Sequence, residues 1–345
     1  TYSLQFAYLK EDGMANVNNS EQIRNTVSAT YIQFTKTRQL DLTGEEYEAV
    51  RNCFRAATAS AQNLQKHIFY SGTVATASLT ISLVSSFFSK RYPKVNTIST
   101  LFLVGAIGSA AWFAVHYIRK QNLQKLFYDA VARRESGSAE GLSNKQLDKV
   151  IEVIQGGCVP KLSVTDINGE PCSLLGACMA KGSYETAILI AAMYEDQKEL
   201  AADAKASIPF IKGDRFKNDQ EGTLIAVTLL KCLGATIDQG DNTLLIKSAS
   251  LLNTVAIEVL IDHGVKKDGG LEQSKDRKKA PMEYAIDSAI IQKRRVEDLL
   301  IVFGVTDYSK YTTKEALANY LNGEGVLISD DYAQKILTLL NASRT

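Results

Sequence analysis

Side chains able to do chemistry are few in these 345 residues, and their spacing assembles no reaction centre. Three histidines, His67, His116 and His263, stand far apart, and none has a second metal-type ligand at a useful spacing. Cys172 and Cys178 are wider apart than the CxxC pair of a zinc site, and their apolar neighbours predict core thiols. Gly156-Gly157 and Gly169 lack the preceding strand and the following lysine of a phosphate-binding loop. Glu46 and Glu48 lie on a helix surface, and Asp262-His263 sits where a helix closes on glycine. No catalytic, cofactor-binding or metal-binding residue is therefore expected, and the chain reads as non-catalytic with no cofactor.

Composition narrows the class further. With 39 Lys and Arg against 38 Asp and Glu, the net charge of +1 gives no reason to expect nucleic acid or an acidic surface as partner. Five cysteines, Cys53, Cys158, Cys172, Cys178 and Cys232, fit a reducing compartment or a cytosol-facing domain better than a disulfide scaffold. No secretory signal is legible at Thr1, and the absent initiator Met leaves open a targeting segment before it.

The elements that organise the chain are two runs without Asp, Glu, Lys or Arg, 68–89 and 95–118. Each is long enough to cross a bilayer's hydrocarbon core, which takes about 20 residues. The turn Lys90-Arg91-Tyr92-Pro93-Lys94 between them predicts an antiparallel transmembrane-type hairpin. The second run is the more apolar; the first carries Ser71, Thr73, Thr76, Ser78, Thr80, Ser82, Ser85 and Ser86. Hydroxyls can bond within their own helix in lipid, yet the same run suits the buried hairpin of a soluble helical protein. Small residues at close-approach spacing, Gly72 with Thr76, Gly105 with Ser109 and Ala106 with Ala110, fit either environment.

Before the hairpin, residues 10–20 read as a polar turn and a helix is expected from about Glu21 to Arg38. Thr43 and Glu46 form a capping-box pattern. Beyond them Tyr47, Val50, Phe54, Ala57, Ala61, Leu64 and Ile68 make an a/d stripe that leads unbroken into the first run. The pentapeptide Gln62–Lys66 (QNLQK) recurs as Gln121–Lys125, so in an antiparallel hairpin the two copies emerge side by side. The total of flanking Lys and Arg favours both termini, and with them the following domain, in the cytosol; their density in the turn favours the reverse.

After the small-residue linker 135–140, apolar helices close repeatedly on glycine: Gly156-Gly157, Gly234-Ala235, Gly264-Val265 and Gly304-Val305. This part resembles the ankyrin-repeat family. Thr243 and Leu245 match the motif opening the first helix, with Ala249 and Leu252 following and Val259–Val265 closing the second. Further units open at Ala280-Pro281-Met282-Glu283-Tyr284-Ala285 and at Cys172–Ala177. The motif's histidine is replaced by Leu175, Ile246 and Glu283, and 195–225 fits no unit cleanly. The resemblance implies a solenoid that presents a surface to a protein partner. A degenerate array joined to a hairpin also looks like proteins that intracellular bacteria deliver into host cells.

The expected fold is all-α: an N-terminal helical segment (1–42), a long helical hairpin (43–134), an ankyrin-like repeat domain (141–310) and capping helices (311–345). The function expected is a multi-pass membrane protein with two spans, held in lipid through 68–118 and binding a protein through 141–310. The alternatives are a soluble all-helical scaffold with a buried hairpin, and a pore or membrane-remodelling component.

Overall fold

The computed structural model describes residues 13–89, 94–131, 144–155, 164–165, 171–212, 220–269 and 279–344. Among these the chain is helical apart from one two-residue antiparallel pairing, Val164–Thr165 (β1) with Pro171–Cys172 (β2). The linker 135–140, the Gly156-Gly157 ending and most of the charged loop 272–279 lie outside the described residues.

The first helix, α1 (Gly13–Thr37), starts earlier than the polar stretch suggests. Ile23, Val27, Tyr31 and Phe34, recurring every three or four residues, are buried and anchor its length, so the preceding polar residues continue a helix already held by packing. Arg38 ends it in the left-handed conformation, its N–H donating to Phe34 O. The next helix begins at Glu45, one residue later than the capping box requires. Thr43 instead donates its N–H and hydroxyl to Asp41, at 2.8 and 2.6 Å.

From there α2 (Glu45–Ser89) runs unbroken through the stripe and the first apolar run, and α3 (Lys94–Ala130) returns antiparallel beside it. At 1.5 Å per residue they are about 68 and 56 Å long. Only their lower ends enter the body of the protein. Tyr47, Val50 and Phe54 of α2, with Phe127 and Val131 at the end of α3, share one core with α1, α4 (Asn144–Gln155) and the helices that follow.

The remainder is a helical-repeat array. It comprises α5 (Leu174–Lys181), α6 (Tyr184–Ala192), α7 (Gln197–Ala206), α8 (Gln220–Cys232), α9 (Asn242–Ser250) and α10 (Thr254–Asp262). After these come α11 (Pro281–Gln292), α12 (Val296–Val302), α13 (Lys314–Gly323) and α14 (Asp330–Arg344). Like packs on like: α9 lies against α11, and α10 against α12. The awkward stretch 195–225 contributes α7, a 3-10 turn at Ile208–Phe210 and the start of α8.

One device closes α8, α10 and α12. A glycine with positive φ (Gly234, Gly264, Gly304) donates three residues back, and the next residue (Ala235, Val265, Val305) donates five back while its side chain is buried. That is the Schellman arrangement, which satisfies the last carbonyls and folds an apolar residue under the helix end. It recurs at Gly325-Val326, just past the end of α13.

Candidate membrane interface

The surface that sets this molecule apart is the outer part of the hairpin. Two windows are long and apolar enough to cross a bilayer, Lys66–Val84 and Leu101–Ile118, and only 17% and 6% of them are buried. The described residues therefore leave the apolar hairpin uncovered. A scaffold that hides it needs cover from outside the described residues.

The contact between the two helices inverts the soluble pattern. On α2 the residues turned to the partner are Ser71, Ala75, Ser78 and Ser82; on α3 they are Phe102, Ala106, Ser109, Phe113 and His116. Alternating steps of three and four are the heptad seam of an antiparallel pair. Small side chains there let the backbones approach, as in helix pairs within lipid. Gly72 is used this way: a Cβ on it would stand 3.3 Å from the Phe113 ring. Outward point Val74, Leu79, Ile81, Leu83, Val84, Leu101, Val104, Ile107 and Val115.

Over 71–82, the hydroxyls of the first run divide into two sets. Ser71, Ser78 and Ser82 are buried in the seam. Thr73, Thr76 and Thr80 face out, but each donates to the carbonyl four residues back (Phe69, Gly72 and Thr76), at 2.9 Å. A hydroxyl bonded to its own helix has its donor satisfied without water, which removes most of the penalty for facing hydrocarbon.

One end of the apolar zone carries aromatic and imidazole rings. Phe69, Tyr70, Trp112 and Tyr117 are exposed. His67 and His116 stack with ring centroids 5.2 Å apart, and Trp112 meets the His116 ring edge-on at 4.7 Å. Sequence reading left these histidines isolated. The QNLQK repeat held the missing signal, because the antiparallel register it implies sets His67 within about one turn of His116. Two imidazoles fall short of a metal site, and among the described residues no group of three or more His, Cys, Asp or Glu could hold an ion. Cys172 and Cys178 are buried thiols, as their apolar neighbours predict.

The hairpin's lower end is fastened to the body by polar ties. Within the body beside it, Arg24 on α1 reaches Asp148 on α4 at 2.9 Å. Arg51 on α2 donates to Leu42 O at 2.7 Å and to Ala192 O at 3.2 Å. Lys181, ending α5, donates to the carbonyls of Tyr128 and Val131 where α3 stops, with its ammonium 3.9 Å from the Tyr128 ring centre. A cation on the last carbonyls of a helix is favourable through their partial negative charge.

Elsewhere the ionisable clusters join helices to one another. Tyr194 donates to the half-buried Asp203; burial pushes both groups upward, and for Asp203 hydrogen bonds from Ser173 and Tyr194 oppose the rise. Asp287 on α11 accepts from Lys279 and Tyr332, each at 2.6 Å, and from Lys335 at 3.2 Å. Glu283 accepts from Ala280 N–H and from the N–H and hydroxyl of Ser329.

No family model, curated protein or solved structure matches this chain.

Proposed function

We propose that this protein is a membrane-anchored interaction module. The hairpin fixes it in a bilayer, and the helical array holds a surface toward a protein partner. The observation that carries the anchor is the hairpin's packing: the small and hydroxyl residues of α2 turn inward against α3, large apolar side chains of both helices turn outward, and the outward threonines bond to their own backbone. Dimensions agree, since Tyr70 to Ser89 rises about 29 Å and a bilayer's hydrocarbon core is about 30 Å thick. The rings of Tyr70, Trp112 and Tyr117 then stand at one interface, where amphipathic aromatics are favoured.

For the array, the support is its recurring Schellman closure and its like-on-like packing, both expected of ankyrin-type units. We read 141–310 as the partner-binding part and place it on the cytosolic side. The pore reading loses ground because the serines of 71–82 turn into the seam and the threonines bond to their own helix.

Alkaline carbonate washing of membranes from cells expressing the full chain tests the anchor. The protein is expected to stay in the pellet and to be released by detergent. A chain that is monodisperse in aqueous buffer without detergent overturns the reading.

A further inference from the structure

The net charge of +1 hides a sharp division. From residue 49 to residue 128 the chain has no Asp or Glu in 80 positions, yet it carries nine Lys and Arg. The other 30 basic residues share the rest of the chain with all 38 acidic ones. The hairpin is thus a strongly cationic element on an acidic body.

Among the described side chains, Arg51 pairs with Glu48, and Arg55 with Glu48 and, at the margin, Glu195. The others avoid the apolar windows' interiors and gather at their ends. At the end nearer the body these are Lys66 on α2 and Arg119, Lys120 and Lys125 on α3. Lys66 and Lys125 are exposed, and Lys66 lies in the same zone as Tyr70, Trp112 and the stacked imidazoles. Among the described residues no ion pair takes up either lysine.

An exposed apolar face bounded by amines, with no carboxylate in its own stretch, matches one environment. Acyl chains cover the face, and an anionic headgroup layer supplies the missing counter-charge at the level of the collar. We propose that the hairpin selects membranes rich in anionic phospholipid, through a cationic and aromatic collar formed by Lys66 and Lys125 with Tyr70 and Trp112, on a stretch of α3 whose sequence also carries Arg119 and Lys120. This rests on the membrane-anchor reading and adds the chemistry of the lipid. A soluble acidic protein would satisfy the amines but leave the apolar face in water.

The test is flotation of the full-length chain, diluted from detergent into vesicles of phosphatidylcholine alone or of phosphatidylcholine with phosphatidylserine. The anionic vesicles are expected to capture at least about tenfold more protein at low salt, with the preference shrinking as ionic strength rises. The variant K66Q/R119Q/K120Q/K125Q, checked for native helix content by circular dichroism, should insert but lose most of the preference. Equal flotation with both compositions overturns lipid selection and leaves the anchor standing. No flotation with either overturns the anchor as well.

Discussion

Asp287 shows how single side chains hold the far end of the array. Burial alone would raise its pKa, but donors from Lys279, Tyr332 and Lys335 outweigh that and bring it down to about 2. Because the folded value lies below the unfolded one of about 3.9, the stabilisation is complete above that pH and is lost as pH falls through about 2. The site is partly open to solvent, so screening limits its worth to about 1 kcal/mol. Asp287→Asn should therefore lower stability by about that much at neutral pH, and the gap to the parent should close between about pH 4 and pH 2. Thermal denaturation across that range checks the sign; a gap that widens on acidification would show that Asp287 is not held as a carboxylate. None of this cluster was legible in sequence, since Lys279, Asp287, Tyr332 and Lys335 meet only when α14 packs beside α11. Glu283 is a related case. Along the chain it is a departure from a motif; in the fold it ties the start of α11 to Ser329, at the entry to α14.

At the scale of the element, the helix endings were the most legible feature. Glycine followed by an apolar residue encodes the turn locally, because glycine reaches positive φ cheaply and the next side chain must find the core. What the local code omits is how tightly each turn is packed. Gly234 has φ +91°, and a Cβ there would lie 2.9 Å from the Ala201 Cβ on α7; Gly325 has φ +74° with open space around it. Gly325→Ala should cost about 1 kcal/mol, the strain of the left-handed backbone alone. Gly234→Ala should cost at least about 1 kcal/mol more, because α7 must also give way. Chemical denaturation of the two variants measures the difference, and equal losses would mean that α7 yields freely.

The whole molecule joins a hairpin that packs outward to a body that packs inward. Residues from 1–42, 43–134, 141–310 and 311–345 contribute to one continuous core, from Ile23 through Phe54 and Phe127 to Leu340. Excision should therefore depend on its limits. Replacing 68–118 by a short glycine-rich turn removes the exposed apolar zone and keeps Tyr47, Val50, Phe54, Phe127 and Val131 in place. That chain is expected to be soluble and to melt cooperatively. Removing 43–134 takes those five side chains out of the core and should abolish cooperative melting. Circular dichroism of the two deletions decides it, and cooperative melting of the larger one would mean that the array is independent of the hairpin's lower end.

Composition and spacing alone determined two runs long and apolar enough to span a bilayer, a helical stripe from Tyr47 leading unbroken into the first of them, and helices closed at Gly234, Gly264 and Gly304. Each follows from neighbours along the chain: the length of an uncharged run, a step of three or four, a residue without a Cβ. Only the tertiary structure decided which hydroxyls of the first run turn inward, that His67 meets His116, and that Lys181 caps α3. These depend on the rotation and register of one helix against another, which periodicity leaves free and side-chain packing sets. The same holds for the hairpin as a whole. Its apolar residues are plain in the sequence, but their outward direction is a property of the packed pair, and the proposed anchor rests on that direction.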